Sequence, residues 1–435
     1  MQITRIIFSF FFFLVAGSAY ATLPIQHWQT SSGAKVYFVH APGLPILDVS
    51  VNFPAGSSFD NTEKSGVAHL TQDLLKLGST SLSEDQIAEG LASVGAILND
   101  HFDRDRAGLT LRTLSSQPER NQAIGIFAQI LQSPTFEAAI LEREKTNLMS
   151  EIKQAQTRPD QIAERAFFSA LYGTHHYALP PEGTLETIPS LTSTDLRDFY
   201  ATHYSANLAI VAIVSDLSKD EVMAIADALT EGLPKSSVTQ ELSDPMPPAS
   251  GTLKTISHPA TQSHILMGTL GLKRGDPDYF PLYVGNHILG GSGFGSRLVE
   301  DVREKQGLVY SVYSYFIPYK QNGPFLIGLQ TQKEQTQRAL ETVNSTLGKF
   351  FATGPTQKEL VDAKKNIVGG FPLRFDSNKE LLEYLTVIGF YQLPLSYLDD
   401  FIKNVERVSL SDIRSAFKRR INQQNFITVV VGGPG

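Results

Sequence analysis

Between Gly66 and Thr80 the chain reads "GVAHLTQDLLKLGST", and three of its side chains carry the spacing of chemistry. His69, Gln72 and Asp73 stand at i, i+3 and i+4, so on a helix they share one face. A histidine with a second donor one turn on is the spacing of a metal-ligand pair, with the residue between them placed to act on a bound water. Here that middle residue is an amide, which cannot accept a proton, and the far donor is an aspartate.

A second candidate is "AAILEREKTNLMSEIKQ", where Glu144 and Glu151 are seven residues apart and share a helical face. Leu141, Leu148 and Ile152 form the apolar stripe, with both carboxylates expected at its edge. In that position they need a cation, a histidine or hydrogen-bond donors. The third is "GGSGFGSRLVEDVREKQGLVYSVYSYF", with Arg303 and Tyr310 seven apart. A fixed cation and a phenol suit a peptide carbonyl or the oxyanion formed when it is attacked. The glycines at 290, 291, 293 and 295 have no Gly-Lys-Ser/Thr after them, so they read as a flexible or closely approached loop rather than a phosphate cradle. His175 and His176 lie in "YGTHHYALPPEG", a Pro/Gly loop, and read as surface or loop-packing groups.

The elements around these residues set their context. The chain has 435 residues, 42% hydrophobic and 19% charged, which suits two or three domains of a globular protein. A net charge of −7 argues against nucleic acid or an anionic membrane surface as main partner. There is no cysteine, which excludes disulfides, thiolate metal sites and cysteine nucleophiles. Residues 1–21 follow the plan of a signal peptide: Arg5, the apolar run "IIFSFFFFLVAG", then "AYA" with cleavage expected after Ala21. Its removal takes the net charge from −7 to −8 and leaves no expected membrane span. An exported, cysteine-free chain fits the periplasm or secretion.

"PKSSVTQELSDPMPPASG", residues 234–251, reads as a linker between halves 22–233 and 252–435. The halves resemble each other. "SANLAIVAIVSDL" closes the first and "QQNFITVVVGGPG" the second, each after a helix with Ser193 or Ser409 near its start and Asp195 or Asp412 in its first turn. The expected fold is α+β: two duplicated domains, each a mixed sheet with helices packed on one face, forming a clamshell with a crevice between.

Taken together, the three constellations resemble the insulinase, pitrilysin and mitochondrial-processing-peptidase family of zinc metallopeptidases. The likeness also covers "GGFPLRFDSNKELLEYLTVIGFYQLPLSYLDDF" and runs over essentially the whole mature chain. In that family the motif is His-x-x-Glu-His, with the glutamate as general base and a downstream glutamate completing the zinc site. The resemblance implies that His69 matches the first zinc histidine, Glu151 the distal glutamate and Glu144 the acidic residue one heptad before it. Arg303 and Tyr310 match an arginine-tyrosine pair that contacts the bound peptide. Two positions depart: Gln72 stands at the general-base position and Asp73 at the second histidine. His69, Asp73 and Glu151 are therefore a vestigial metal set, with zinc expected in a partner subunit instead.

Some family members are heterodimers in which one subunit has lost the motif. The leading expectation is a silent partner subunit, supplying peptide-substrate and oxyanion contacts to a homologous zinc-bearing chain, or to a second copy of itself. The alternatives are an active zinc peptidase with a divergent site, and a non-enzymatic periplasmic peptide-binding or scaffold protein. A peptide would add as a strand to a sheet edge, with "AILNDHFDRDRAGLTLRTL", from Ala96, as the candidate edge.

Overall fold

The computed structural model describes residues 24–235 and 241–432. The expected signal peptide lies outside them, as does part of the expected linker.

The first half builds six strands: β1 (Gln26–Gln29), β2 (Lys35–His40), β3 (Ile46–Phe53), β4 (Ile97–Phe102), β5 (Ala107–Leu114) and β6 (Ile210–Ser215). They lie in the order β1-β2-β6-β3-β5-β4, with β2 and β6 parallel and the other neighbours antiparallel. The second half builds β7 (Thr252–Ile256), β8 (Gln262–Leu270), β9 (Val309–Phe316), β10 (Pro324–Gln332) and β11 (Ile427–Val431), in the order β7-β11-β8-β10-β9. Here β7 and β11 are the parallel pair. Without β1, the two orders superpose strand for strand. The duplication read from the two closing segments is thus a repeated topology, and those segments form β6 and β11. The segment from Ala96 supplies β4, which is an edge strand.

The helices before the closing strands start alike. Thr192 and Ser409 each accept a hydrogen bond from the backbone N–H three residues on, while the carboxylates of Asp195 and Asp412 accept from the cap's own N–H. These reciprocal boxes satisfy donors that a helix start leaves open. The first cap is Thr192; Ser193 is the first helical residue.

Each sheet carries the helices of its own half on one face. The opposite face is covered from the other half. Helix Pro159–Tyr172 packs Ala163, Phe167 and Leu171 on Leu270, Ile427 and Val429 of the second sheet. Helix Asn378–Phe390 places Leu381, Leu385 and Ile388 in one core with Val39, Ile210 and Ala212 of the first. The mixed α+β architecture stands as expected, but its two halves are interlocked by exchanged helices.

A buried carboxylate ties the same junction. Asp105, in the β4–β5 turn, accepts the hydroxyls of Tyr177 (2.5 Å) and Tyr391 (2.8 Å) and the backbone N–H of Lys320 (2.7 Å). Two of these three donors belong to the second half.

Candidate functional site

The helix carrying the first constellation spans Val67–Leu74. Its apolar residues Val67, Leu70, Leu74 and the following Leu75 are buried in the first-half core. Gly66 precedes it at φ 96°, a conformation side chains resist, and a Cβ there would stand 2.4 Å from Ile188 Cδ1. The cap comes from outside the helix: Asp60 accepts from the N–H groups of Gly66 (2.6 Å) and Ala68 (2.9 Å). Burial pushes the Asp60 carboxyl up to about 7, against the pull of those two hydrogen bonds and of the His69 charge. The Asp60 carbonyl in turn lies 2.9 Å from His176 Nδ1, while His175 Nε2 lies 2.8 Å from the Ser243 carbonyl. Both histidines are loop-packing groups.

On this helix His69 Nε2 lies 3.1 Å from Asp73 Oδ2. The ring packs against Phe102 of β4, with centroids 5.0 Å apart, and its Nδ1 is buried with no hydrogen-bond partner among the described residues. Burial works against charging His69. The hydrogen bond and charge of Asp73, with the charges of Glu182 and Glu151, outweigh it and hold the imidazole above its ordinary pKa. Asp73 thus acts as a counter-ion to His69.

Gln72 is buried and doubly bonded. Its Nε2 donates to the carbonyl of Gly108 (2.8 Å), and its Oε1 accepts from the hydroxyl of Tyr204 (3.0 Å). The amide therefore braces the helix against β5 and the helix Ser193–His203 that ends beside Tyr204. A carboxylate could not donate to Gly108, so this environment selects an amide where a base would be needed.

Glu144 and Glu151 lie on the helix Ala138–Ala155, whose buried residues are Leu141, Lys145, Leu148 and Ile152. The expected edge position describes Glu144, which is half-buried and ion-paired with Arg143 at 2.6 Å. Glu151 is exposed instead, because the stripe is completed by Lys145, whose ammonium reaches Glu142 and the Pro189 carbonyl. Among the described residues, no three side chains of His, Asp or Glu converge to hold a metal ion. With His69 Nε2 engaged by Asp73 and Glu151 contributing charge from the surface, these residues do not fit zinc.

The second-half pair is brought together. Arg303 lies in a π-helical turn, Val299–Glu304, and Tyr310 in edge strand β9. The guanidinium carbon sits 5.4 Å from the Tyr310 ring centroid and 4.8 Å from that of Phe294. Tyr310 is 82% and Phe294 74% exposed, so the cation lies near two outward aromatic faces. Phe294 was not read from the sequence. The available signal was a lone aromatic between glycines, and Gly293 and Gly295 indeed hold φ of 69° and 90°.

Residues 35–185 match the insulinase family (peptidase family M16), and residues 190–367 match the peptidase M16 inactive domain. The peptidase M16 inactive domain from Pseudomonas fluorescens has a crystal structure that superposes with a TM-score of 0.91 at 37% identity, covering 95% of this chain and 98% of that one. A protease from Helicobacter pylori shares the fold at a TM-score of 0.86 and 18% identity, covering 94% of this chain and all of the other (100%). By sequence, the chain is 25% identical over 424 residues to the uncharacterized zinc protease YmxG of Bacillus subtilis, covering 94% of this chain and 99% of that one. It is 27% identical over 411 residues to a Helicobacter pylori protein called a non-peptidase homolog, covering 92% and 93%.

Proposed function

Since the chain belongs to the M16 insulinase family and is an inactive homologue within it, we propose that it is the silent partner subunit of a zinc peptidase. The observation that carries this reading is the contrast between its two constellations. In the first half, Gln72 is committed to Gly108 and Tyr204, and His69 to Asp73. In the second half, Arg303 and Tyr310 stand together and open to an incoming chain.

The role follows from the donors on offer. The Tyr310 hydroxyl offers an O–H donor and the Arg303 guanidinium offers N–H donors. Aimed at a peptide carbonyl, they bind it weakly in the ground state and more strongly as negative charge develops on its oxygen. The metal and the base that generate that charge belong, in this reading, to a homologous zinc-bearing subunit. Peptide substrate adds along a sheet edge, for which β4 and β9 both present unpaired backbone on their outer side. Export through the segment at 1–21 to the periplasm, or beyond, completes the proposal. Among the described residues no helix is long and apolar enough to cross a membrane.

The test is to purify the tagged mature chain from its native compartment, identify what co-purifies and assay a mixed peptide library. A stoichiometric zinc peptidase partner, with activity lost on Arg303→Ala while the complex persists, is the expected result. A lone chain that cleaves peptides in a chelator-sensitive manner overturns it.

A further inference from the structure

Away from both constellations, two cavities in the second half share a wall formed by Arg274, Tyr279 and Arg374. One has a volume of about 420 Å³, and none of its lining residues is Asp or Glu. Its other polar groups include Tyr283, His287 and Ser292. Loop and strand positions explain why two guanidiniums face the same space. Arg274 follows β8, where its Nε donates to the Pro318 carbonyl (3.1 Å) and its guanidinium lies over the Tyr391 ring at 5.2 Å. Among the described residues its two terminal nitrogens make no hydrogen bond. Arg374 ends the turn Pro372–Arg374 at the mouth and lies 5.8 Å from the Tyr283 ring centroid.

The two carboxylates on the Arg274 loop are already committed to other arginines. Asp276 and Asp278, on the same loop as Arg274, pair with Arg420 and Arg419 at 2.8 and 2.5 Å, and Arg420 also holds Asp278. Glu380, which lines the neighbouring cavity, is bound by the hydroxyl of Ser377 at 3.0 Å. Glu383, at the same cavity, is exposed on the solvent side of its helix. Tyr283, which lines the acid-free cavity, has a buried hydroxyl beside the Arg374 guanidinium and, among the described residues, no partner at normal hydrogen-bond geometry. A buried polar group left in that state asks for a ligand or water.

We propose that this cavity is an oxyanion-binding site in which Arg274 and Arg374 grip the anion and Tyr283 donates to it. Two planar guanidiniums can each present paired N–H groups to a carboxylate or phosphate, and neighbouring tyrosine rings give the non-charged part of a ligand an apolar surface. The source of the oxyanion is either the C-terminal carboxylate of a peptide or free phosphate. The cavity also touches Gly291 and Ser292 of the loop that carries Phe294, and Tyr315 on the strand that carries Tyr310. Five residues of strand separate Tyr310 from Tyr315, roughly 17 Å. A peptide running beside β9 therefore has its end within reach of the site. The assignment itself does not depend on the partner-subunit reading.

The experiment is calorimetric titration of the mature full-length chain at low salt with three probes: inorganic phosphate, N-acetylated tetra-alanine with a free carboxylate, and the same peptide amidated. Saturable binding of phosphate or of the acid peptide is expected, weakened roughly tenfold or more in Arg274→Gln and in Arg374→Gln. Preference for the acid over the amide identifies a peptide terminus as the source; binding of phosphate alone identifies the free anion. Tyr283→Phe, which removes the phenolic donor and keeps the ring, should weaken binding. Should a glutamine variant fail to fold, Arg→Lys at the same position keeps the charge but loses the paired geometry, and weaker binding is again expected. No saturable binding of any probe, or unchanged affinity in the folded arginine variants, overturns the assignment.

Discussion

Gln72 donates its side-chain N–H to the carbonyl of Gly108, 36 residues along the chain, at 2.8 Å. That bond makes the amide a structural part of the first half. Gln72→Glu sets a carboxylate oxygen against a carbonyl oxygen in a buried site, so we expect a loss of about 1–3 kcal/mol near neutral pH. A protonated glutamic acid can donate where the carboxylate cannot. The loss should therefore shrink as the solution is acidified, and urea unfolding of variant and parent at two pH values measures it.

The pair His69–Asp73 yields a pH signature. The folded-state pKa of His69 lies above its ordinary value. The pair's contribution to stability is then fully present below the unfolded value of ~6.5 and is lost as the pH rises through the folded value. In Asp73→Asn the burial remains while the hydrogen-bonding charge is gone, so the imidazole should titrate below its parent midpoint. Ring-proton NMR of the ten histidines, with His69 assigned by substitution, reads both midpoints.

Zinc content gives a direct check of the donor chemistry. Elemental analysis of the purified, unsupplemented chain should find well below one zinc per molecule. Restoring the motif by Gln72→Glu with Asp73→His should not by itself raise that value to one, because Glu151 is exposed and Gly108 still demands a donor. A stoichiometric metal in the unmodified chain would refute the reading of Asp73 as a counter-ion.

Phe294 is exposed and its ring lies 4.8 Å from the Arg303 guanidinium carbon. A cation–π contact at an exposed site contributes about 0.5–1 kcal/mol, so if the chain serves the proposed partner peptidase, Phe294→Ala should lower that activity only about two- to fivefold. In the proposed partner complex Arg303→Ala would remove a donor to the developing oxyanion, and there it should cost about 10²–10³ in kcat. Equal effects of the two substitutions would mean that Phe294 contacts substrate itself.

Separating the halves should fail. Residues 22–233 alone lack the helix Asn378–Phe390, leaving Val39, Ile210 and Ala212 without the core they share with it, and Asp105 without its donors Tyr391 and Lys320. Expressed by itself, that piece should aggregate or remain without a cooperative melt. A soluble, cooperatively unfolding fragment would show that the exchanged helix is dispensable.

Much of this architecture was legible because it rests on local pattern. The β-branched runs that became β6 and β11, the apolar spacing of Val67, Leu70 and Leu74, and the seven-residue step from Arg303 to Tyr310 all carry their structure in neighbouring residues. Helix exchange was not legible. The amphipathic pattern of Pro159–Tyr172 says that one face is buried, but nothing in it says which sheet provides the cover. The same holds for Gln72: its type announced a missing base, whereas its partners Gly108 and Tyr204 come from distant segments that only the fold brings near. Glu151 was misplaced because Lys145, a residue that rarely enters a core, occupies the stripe through its long apolar stem.

The exchanged helices also set a timetable. The first sheet is spelled out by residue 215, yet the helix that covers its second face begins at Asn378. During synthesis from the N-terminus, well over a hundred residues must follow before that face can close. Contacts so far apart in sequence form slowly, since a long loop must be drawn together before they reward it. A nascent chain of this protein is thus obliged to wait, its earliest strands finished only by nearly its last helices.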